Sequence, residues 1–346
     1  MKESNVLKRT FQSVSIPLIA VLIAIIVFIV FCGLQGAGID KLYAALYYGM
    51  LANPNFITQT LVKAVPLVCA ALAVIIPARA GLVNVGGEGQ LVIGAVAGTG
   101  TTLLLRNAHS GWFGIILTMV IGAVAGGFWG LICAWMKTFL HAPEAVTTLL
   151  MNFVATDIML SLLYSSWKDP DGSGQPQTKP LPQDLRLTDL NIGVKIPVAF
   201  LLVIVVGILS WLLINRSSWG FASEIVGRNS EAAFREGLSV PYYSNSAMFI
   251  GGLIAGLGGT LNILGAEGQL RPGVTTTFGF IAFLAAFIAK GSIIRGSIYA
   301  LIAAAVLVAS NPLQLRAGLD GNASYVLMGV TCLAILIISQ RSRRIQ

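Results

Sequence analysis

Charge is scarce in this sequence. Of 346 residues only 10% are Asp, Glu, Lys or Arg, against about a quarter in an ordinary soluble domain. No water-soluble core could hide the 56% that are hydrophobic. Histidine is nearly absent: His109 and His141 are the whole complement. HExxH, GxSxG and a GxxxxGK phosphate cradle are all missing, so the pattern offers no metalloprotease, serine hydrolase or ATPase site. Neither catalytic residues nor a metal nor a cofactor is expected, and the protein reads as no enzyme. The four cysteines, Cys32, Cys69, Cys133 and Cys332, sit inside apolar runs without metal or redox spacing, which makes them small core hydrophobes. The net charge of +8 does not point to nucleic acid, because the Lys and Arg form short clusters between apolar runs, where they act as orientation signals.

Apolar runs are what the chain has in abundance. About 20 residues span about 30 Å of hydrocarbon, and a helix satisfies its own backbone there. Ten runs qualify, at approximately 14–33, 57–78, 89–105, 112–136, 145–165, 196–214, 243–264, 275–289, 295–311 and 323–340. The first follows Lys8-Arg9 but exceeds a signal-peptide core and lacks a cleavage site, so a retained membrane helix is expected. The fold class is therefore an all-α membrane protein of about ten transmembrane helices, multi-pass and surrounded by lipid. The Lys and Arg bias places both termini in the cytoplasm. Glycine, 38 residues in all, fits close helix approach. Gly122, Gly126-Gly127 and Gly130 in the fourth run, and Gly251-Gly252, Gly256 and Gly258-Gly259 in the seventh, form packing stripes.

Two connections are long. The outer one, 167–195, holds Asp169-Pro170-Asp171-Gly172-Ser173-Gly174 and then Pro176, Pro180 and Pro182; it is turn-rich and polar, either a solvated connector or a docking surface for an extracytoplasmic partner. The inner one, 215–241, is helix-permissive. Ser230 is its predicted N-cap before Glu231-Ala232-Ala233-Phe234-Arg235-Glu236, with Gly237 as the stop, giving a short amphipathic cytoplasmic helix.

The segment from Arg79 to Ala95 concentrates polarity and glycine between two apolar runs. Asn84, Glu88 and Gln90 must face protein or water rather than lipid. They read either as an interrupted helix lining a cavity or as a tight turn in which Asn84 and Glu88 cap the next helix. Its core, Gly86-Gly87-Glu88-Gly89-Gln90-Leu91, returns half a chain later as Gly265-Ala266-Glu267-Gly268-Gln269-Leu270. The two copies fall on opposite faces, which predicts two inverted structural repeats. Glu267 and Gln269 therefore join Asn84, Glu88 and Gln90 as translocation-path candidates. In the fifth run Asn152, Thr156 and Asp157 are spaced to share one buried face; that face reads as pore lining or as an interhelical hydrogen bond. Glu144, at its start, reads as a first-turn charge favoured by the helix dipole.

Three patches, Arg79–Ala95, Glu144–Phe153 and Gly227–Ala233 with Gly237, resemble a permease subunit of a bacterial ABC importer, in the family that includes branched-chain amino acid, ribose and nucleoside permeases. The first two are most similar to the nucleoside or simple-sugar branch. Relatives often carry Asn-Pro where this chain has Lys290–Gly296. The resemblance implies a cytoplasmic ATP-binding subunit, a second permease subunit and an extracytoplasmic solute-binding protein as partners. It implies coupling to the ATPase through Glu231, Ala232, Ala233 and Gly237, and nucleoside import by alternating access across the bacterial cell membrane. The rival readings are a simple-sugar permease and a self-sufficient secondary transporter using Asp157 and Glu88 as ion-coupling groups.

Overall fold

A computed structural model describes residues 29–317 except 173 and 276, with isolated positions 26, 326 and 329. The expected first span, 14–33, lies mostly outside the described residues, though residues 29–34 are helical. The tenth, 323–340, Cys332 and the basic terminal clusters also lie outside the described residues. Where the chain is described, the apolar runs are helices, because a bilayer leaves no other partner for their N–H and C=O groups.

The helices are α1 Ile39–Met50, α2 Phe56–Arg79, α3 Gly87–Leu104, α4 Gly111–Leu140, α5 Glu144–Tyr164 and α6 Val198–Arg216. They continue with α7 Ser218–Arg228, α8 Ser230–Arg235, α9 Val240–Asn262, α10 Phe278–Ile288 and α11 Ile293–Ala317. Among the described residues, five helices are long and apolar enough to cross a membrane: α2, α4, α5, α6, and α9 with its π-helical extension Ile263–Glu267. α10 is a shorter apolar helix, as is α11 over Ile293–Ala309.

The described chain forms two compact units. One comprises residues 1–60 and 302–346; within it, Gly49 of α1 lies directly against the backbone of Ala309, where a Cβ would collide. The other, residues 61–301, holds the bundle. α9 is its centre and packs along α4 and α3. The glycine stripes allow that approach: a Cβ on Gly126 would stand 2.5 Å from the Gly252 carbonyl, and one on Gly251 2.8 Å from the Ala73 carbonyl. Thr260 Oγ1 donates to the Gly94 carbonyl across the same seam. α5 and α6 are peripheral, with most of their apolar surface outward.

The polar connections are built structures. Residues 177–187 form a strap hydrogen-bonded to the end of α9. Thr178 N–H donates to the Leu270 carbonyl, Leu181 N–H to Gly268 and Leu187 N–H to Leu264. Leu181, Leu185 and Leu187 are buried beneath it, which a solvated connector would not permit. An antiparallel hairpin follows, β1 Asp189–Ile192 and β2 Val194–Pro197. The connection 215–241 holds two helices rather than one, and its cap differs from expectation. Asn229, extended at φ −155° and ψ 94°, accepts from the Ala232 N–H. Ser230 is already the first helical residue, so it cannot be the N-cap. Gly237 ends the turn with φ +83°.

Candidate functional site

After Arg79 the chain reverses through Gly81 at φ +76°, a conformation that suits glycine. Extended residues then run back along α2. Asn84 Nδ2 donates to the Ala73 carbonyl at 2.9 Å, so α3 starts deep beside α2 rather than at its end. This start is held by side chains from elsewhere. Asn84 Oδ1 accepts from Gly86 N–H at 2.9 Å and Asn84 Nδ2 donates to Gln90 Oε1 at 3.1 Å. Asn152 of α5 accepts from Gly89 N–H at 2.7 Å and donates to the Val85 carbonyl at 3.0 Å. Thr148 Oγ1 accepts from Val85 N–H, and Glu144 both accepts from Val83 N–H and pairs with Lys137 at 3.0 Å. A helix start buried away from water must find such partners for its orphan donors. Glycine is required here: a Cβ on Gly89 would lie 2.9 Å from Asn152.

Glu88 begins α3, yet it does not cap α3; the N-cap position is Gly86, without a side-chain cap. Its carboxylate reaches across to the start of α10, accepting from Gly279 N–H at 2.6 Å and bonded also to Thr275 and the Thr277 backbone. Two helix starts therefore meet at one carboxylate, which the positive end of a helix favours. Asn84, Glu88, Gln90 and Asn152 are all buried and gathered here. Asp157 is not: it is exposed on α5, whereas Thr156 bonds back to the Asn152 carbonyl. At about 100° per residue, four steps from Asn152 return near its face while five overshoot to about 140° away. The expectation that Asp157 shares the buried face is corrected on that ground.

The second copy of the echo has a different local structure. It closes α9 in a π-turn and leaves through Gly268 at φ +65°. Glu267 pairs with Arg271 at 2.7 Å and with Lys63 at 3.9 Å, and Gln269 bonds Gln177 of the strap. Lys63 also sits 5.4 Å above the Phe278 ring, next to the Gly279 amide that Glu88 holds. A polar row thus runs from Asn84 through Glu88 and the α10 start to Lys63 and Glu267. Lys63 was missing from the candidates, although a lone cation inside an apolar run is the signal that should have found it.

The pair α7–α8 is fastened to the reversed segment. Arg79 Nη1 pairs with Glu224 at 3.2 Å, Gly227 lies against Arg79–Gly81, and Trp219 Nε1 donates to Ser246 of α9 at 3.0 Å. Trp219 also packs on Ala80, Leu82, Ala134, Ala247 and Met248. On α8, Ala233 is fully buried while Glu231 and Ala232 are exposed, as is Gly237 just after it. Phe234, between them in sequence, is 72% exposed, a functional candidate that the search for charge and glycine overlooked. The Glu231–Arg235 pair is exposed and contributes little stability. Among the described residues no group of His, Cys, Asp or Glu could hold a metal ion.

Residues 56–336 match the family described as branched-chain amino acid transport system / permease component. The chain is 30% identical to the glucose ABC transporter permease protein TsgB13 of Haloferax volcanii, over 87% of this chain and 81% of that one. It is 28% identical to the guanosine ABC transporter permease protein NupP of Bacillus subtilis, over 77% and 76%. It is 24% identical to the nucleoside ABC transporter permease protein NupB of Lactococcus lactis subsp. cremoris, over 95% and 91%. A multi-pass membrane protein with this match is a transport subunit, and the chain belongs to the permease-component family of the branched-chain amino acid transport systems.

Proposed function

We propose that this chain is the membrane subunit of a nucleoside importer, moving solute by alternating access while partner ATPases supply the energy. The observation that carries the reading is the rigid fastening of α7–α8 to residues 79–82. A push on exposed Phe234 and Glu231 passes through Gly227 and the Arg79–Glu224 pair into the segment that holds the α3 start. Packed elements transmit such a displacement where a loop would absorb it. Glu231, Ala232, Ala233 and Gly237 form the coupling surface. The path runs past Asn84, Glu88, Gln90 and Asn152 toward Glu267 and Gln269, with Asp157 outside the row within a single chain.

The chain crosses the membrane about ten times with both termini inside, pairs with a second permease and receives solute from an extracytoplasmic binding protein at the strap and hairpin. Two re-entrant units support the inverted repeat: α2 with α3, and α9 with α10. In each a buried asparagine ties helix to returning segment, Asn84 to the Ala73 carbonyl and Asn262 to the Val274 carbonyl. Nucleosides are favoured because several relatives are named for them; a simple sugar is the second reading, favoured by the glucose permease of Haloferax volcanii. Uptake of labelled guanosine and glucose by cells expressing the chain with its ATPase and binding protein decides. Guanosine uptake competed by other nucleosides and not by glucose is the expected outcome; glucose uptake alone overturns the nucleoside reading.

A further inference from the structure

On the outward side of the bundle, α6 and the first part of α11 leave an elongated cavity of about 380 Å³ against Val68 of α2. Ser297 apart, its wall is apolar or aromatic, and Ile294 and Ile298 are exposed along it. Ser297 and the Trp211 indole are its only hydrogen-bonding side chains, too few to hold a sugar or nucleoside. On α6 the lining runs from Phe200 to Trp211, about 17 Å at 1.5 Å per residue. That is close to half of the roughly 30 Å hydrocarbon thickness. A slot of that length walled by aliphatic and aromatic side chains suits part of an extended acyl chain.

One end of the cavity is cationic. Arg216 stacks over the Trp211 ring at 5.7 Å and is exposed. Gly291, just before α11, lies beside Arg79, and Arg79 pairs with Glu224 on the helix that follows α6. Arg295 is exposed and follows Ile294, which lines the slot at the start of α11. Arg216 over the Trp211 ring, and Arg295 next in sequence to lining Ile294, give an apolar slot the cations that match a phosphate ester attached to a hydrocarbon tail. We propose that this groove seats one acyl chain of an anionic phospholipid, with the headgroup phosphate held by Arg216 and Arg295.

Gly207 faces open space in the slot, with nothing within 4 Å of a built Cβ, so a larger residue there fills the seat without striking the backbone. The test is native mass spectrometry of the full-length protein, delipidated and re-exposed to phosphatidylglycerol or phosphatidylcholine. The expected result is one retained phosphatidylglycerol per chain, lowered about tenfold by Gly207→Phe. Each of Arg216→Gln and Arg295→Gln lowers the preference over phosphatidylcholine by about fivefold. Equal retention of both lipids by the wild type, or undiminished retention by Gly207→Phe, overturns the proposal. A photo-crosslinker at Ile298 provides a second readout: an adduct to phospholipid supports it, and an adduct to a protein chain overturns it. Should Gly207→Phe fail to fold, Gly207→Leu, checked by its melting temperature, carries the same comparison.

Discussion

Asn152 shows what a buried polar side chain is for in this protein. Its two bonds, to Gly89 N–H and the Val85 carbonyl, join α5 to a helix start that has no water to turn to. Removing it strands a donor and an acceptor, at a cost of about 1–3 kcal/mol for each buried group. Asn152→Ala is therefore expected to lower the unfolding temperature in detergent, and an unchanged midpoint would contradict the network. Glu88 follows the same logic at the α10 start: Glu88→Gln keeps an acceptor for the Gly279 amide, whereas Glu88→Ala leaves it bare. The alanine variant should be clearly less thermostable than the glutamine variant; equal melting would mean that the carboxylate does not hold the two helices together. Asn84, Gln90 and Asn152 could be picked out in the sequence because polar side chains inside apolar runs must have a reason. Their partners could not, since Asn152 reaches Gly89 only after two helices have packed.

At the scale of the element, α8 is a helix of six residues, under two turns, that depends on its cap and on its neighbour. Asn229→Ala removes the bond to Ala232 N–H, a loss of about 1 kcal/mol of local helix stability. Phe234 is the larger test. An aromatic side chain 72% exposed beside a buried Ala233 suits a groove on another protein. Phe234→Ser and Glu231→Lys are each expected to reduce uptake severely while membrane insertion stays normal, and co-purification of the ATP-binding subunit should fall with uptake. Wild-type uptake in both variants would remove α8 from the coupling role. The sequence marked one short helix after Ser230, stopped by Gly237, within 215–241, yet the separate helix α7 before it was not legible. That break arises because extended Asn229 turns the chain after Gly227 has seated on Arg79–Gly81.

For the whole molecule the prediction concerns sidedness. The α7–α8 pair and the hairpin β1–β2 belong to connections at opposite ends of α6. In a cysteine-free background, a thiol placed at Phe234 should react with a membrane-impermeant reagent only after permeabilisation, and one placed at Leu190 should react on intact cells. Both sites reacting from one side would undo the membrane arrangement and the coupling scheme with it.

The sequence by itself determined that the chain is helical and lives in a bilayer, because hydrophobic runs of that length, with so little charge, have no other stable solution. It also located the residues whose polarity demands an explanation. Only tertiary structure decided how they are used: that α3 starts deep beside α2, that Glu88 serves α10 rather than its own helix, and that Asp157 turns away from Asn152. The physical reason is range. Burial and backbone satisfaction are local demands that any stretch of sequence reveals. The partner that meets each demand lies dozens of residues away, and packing alone brings it within reach.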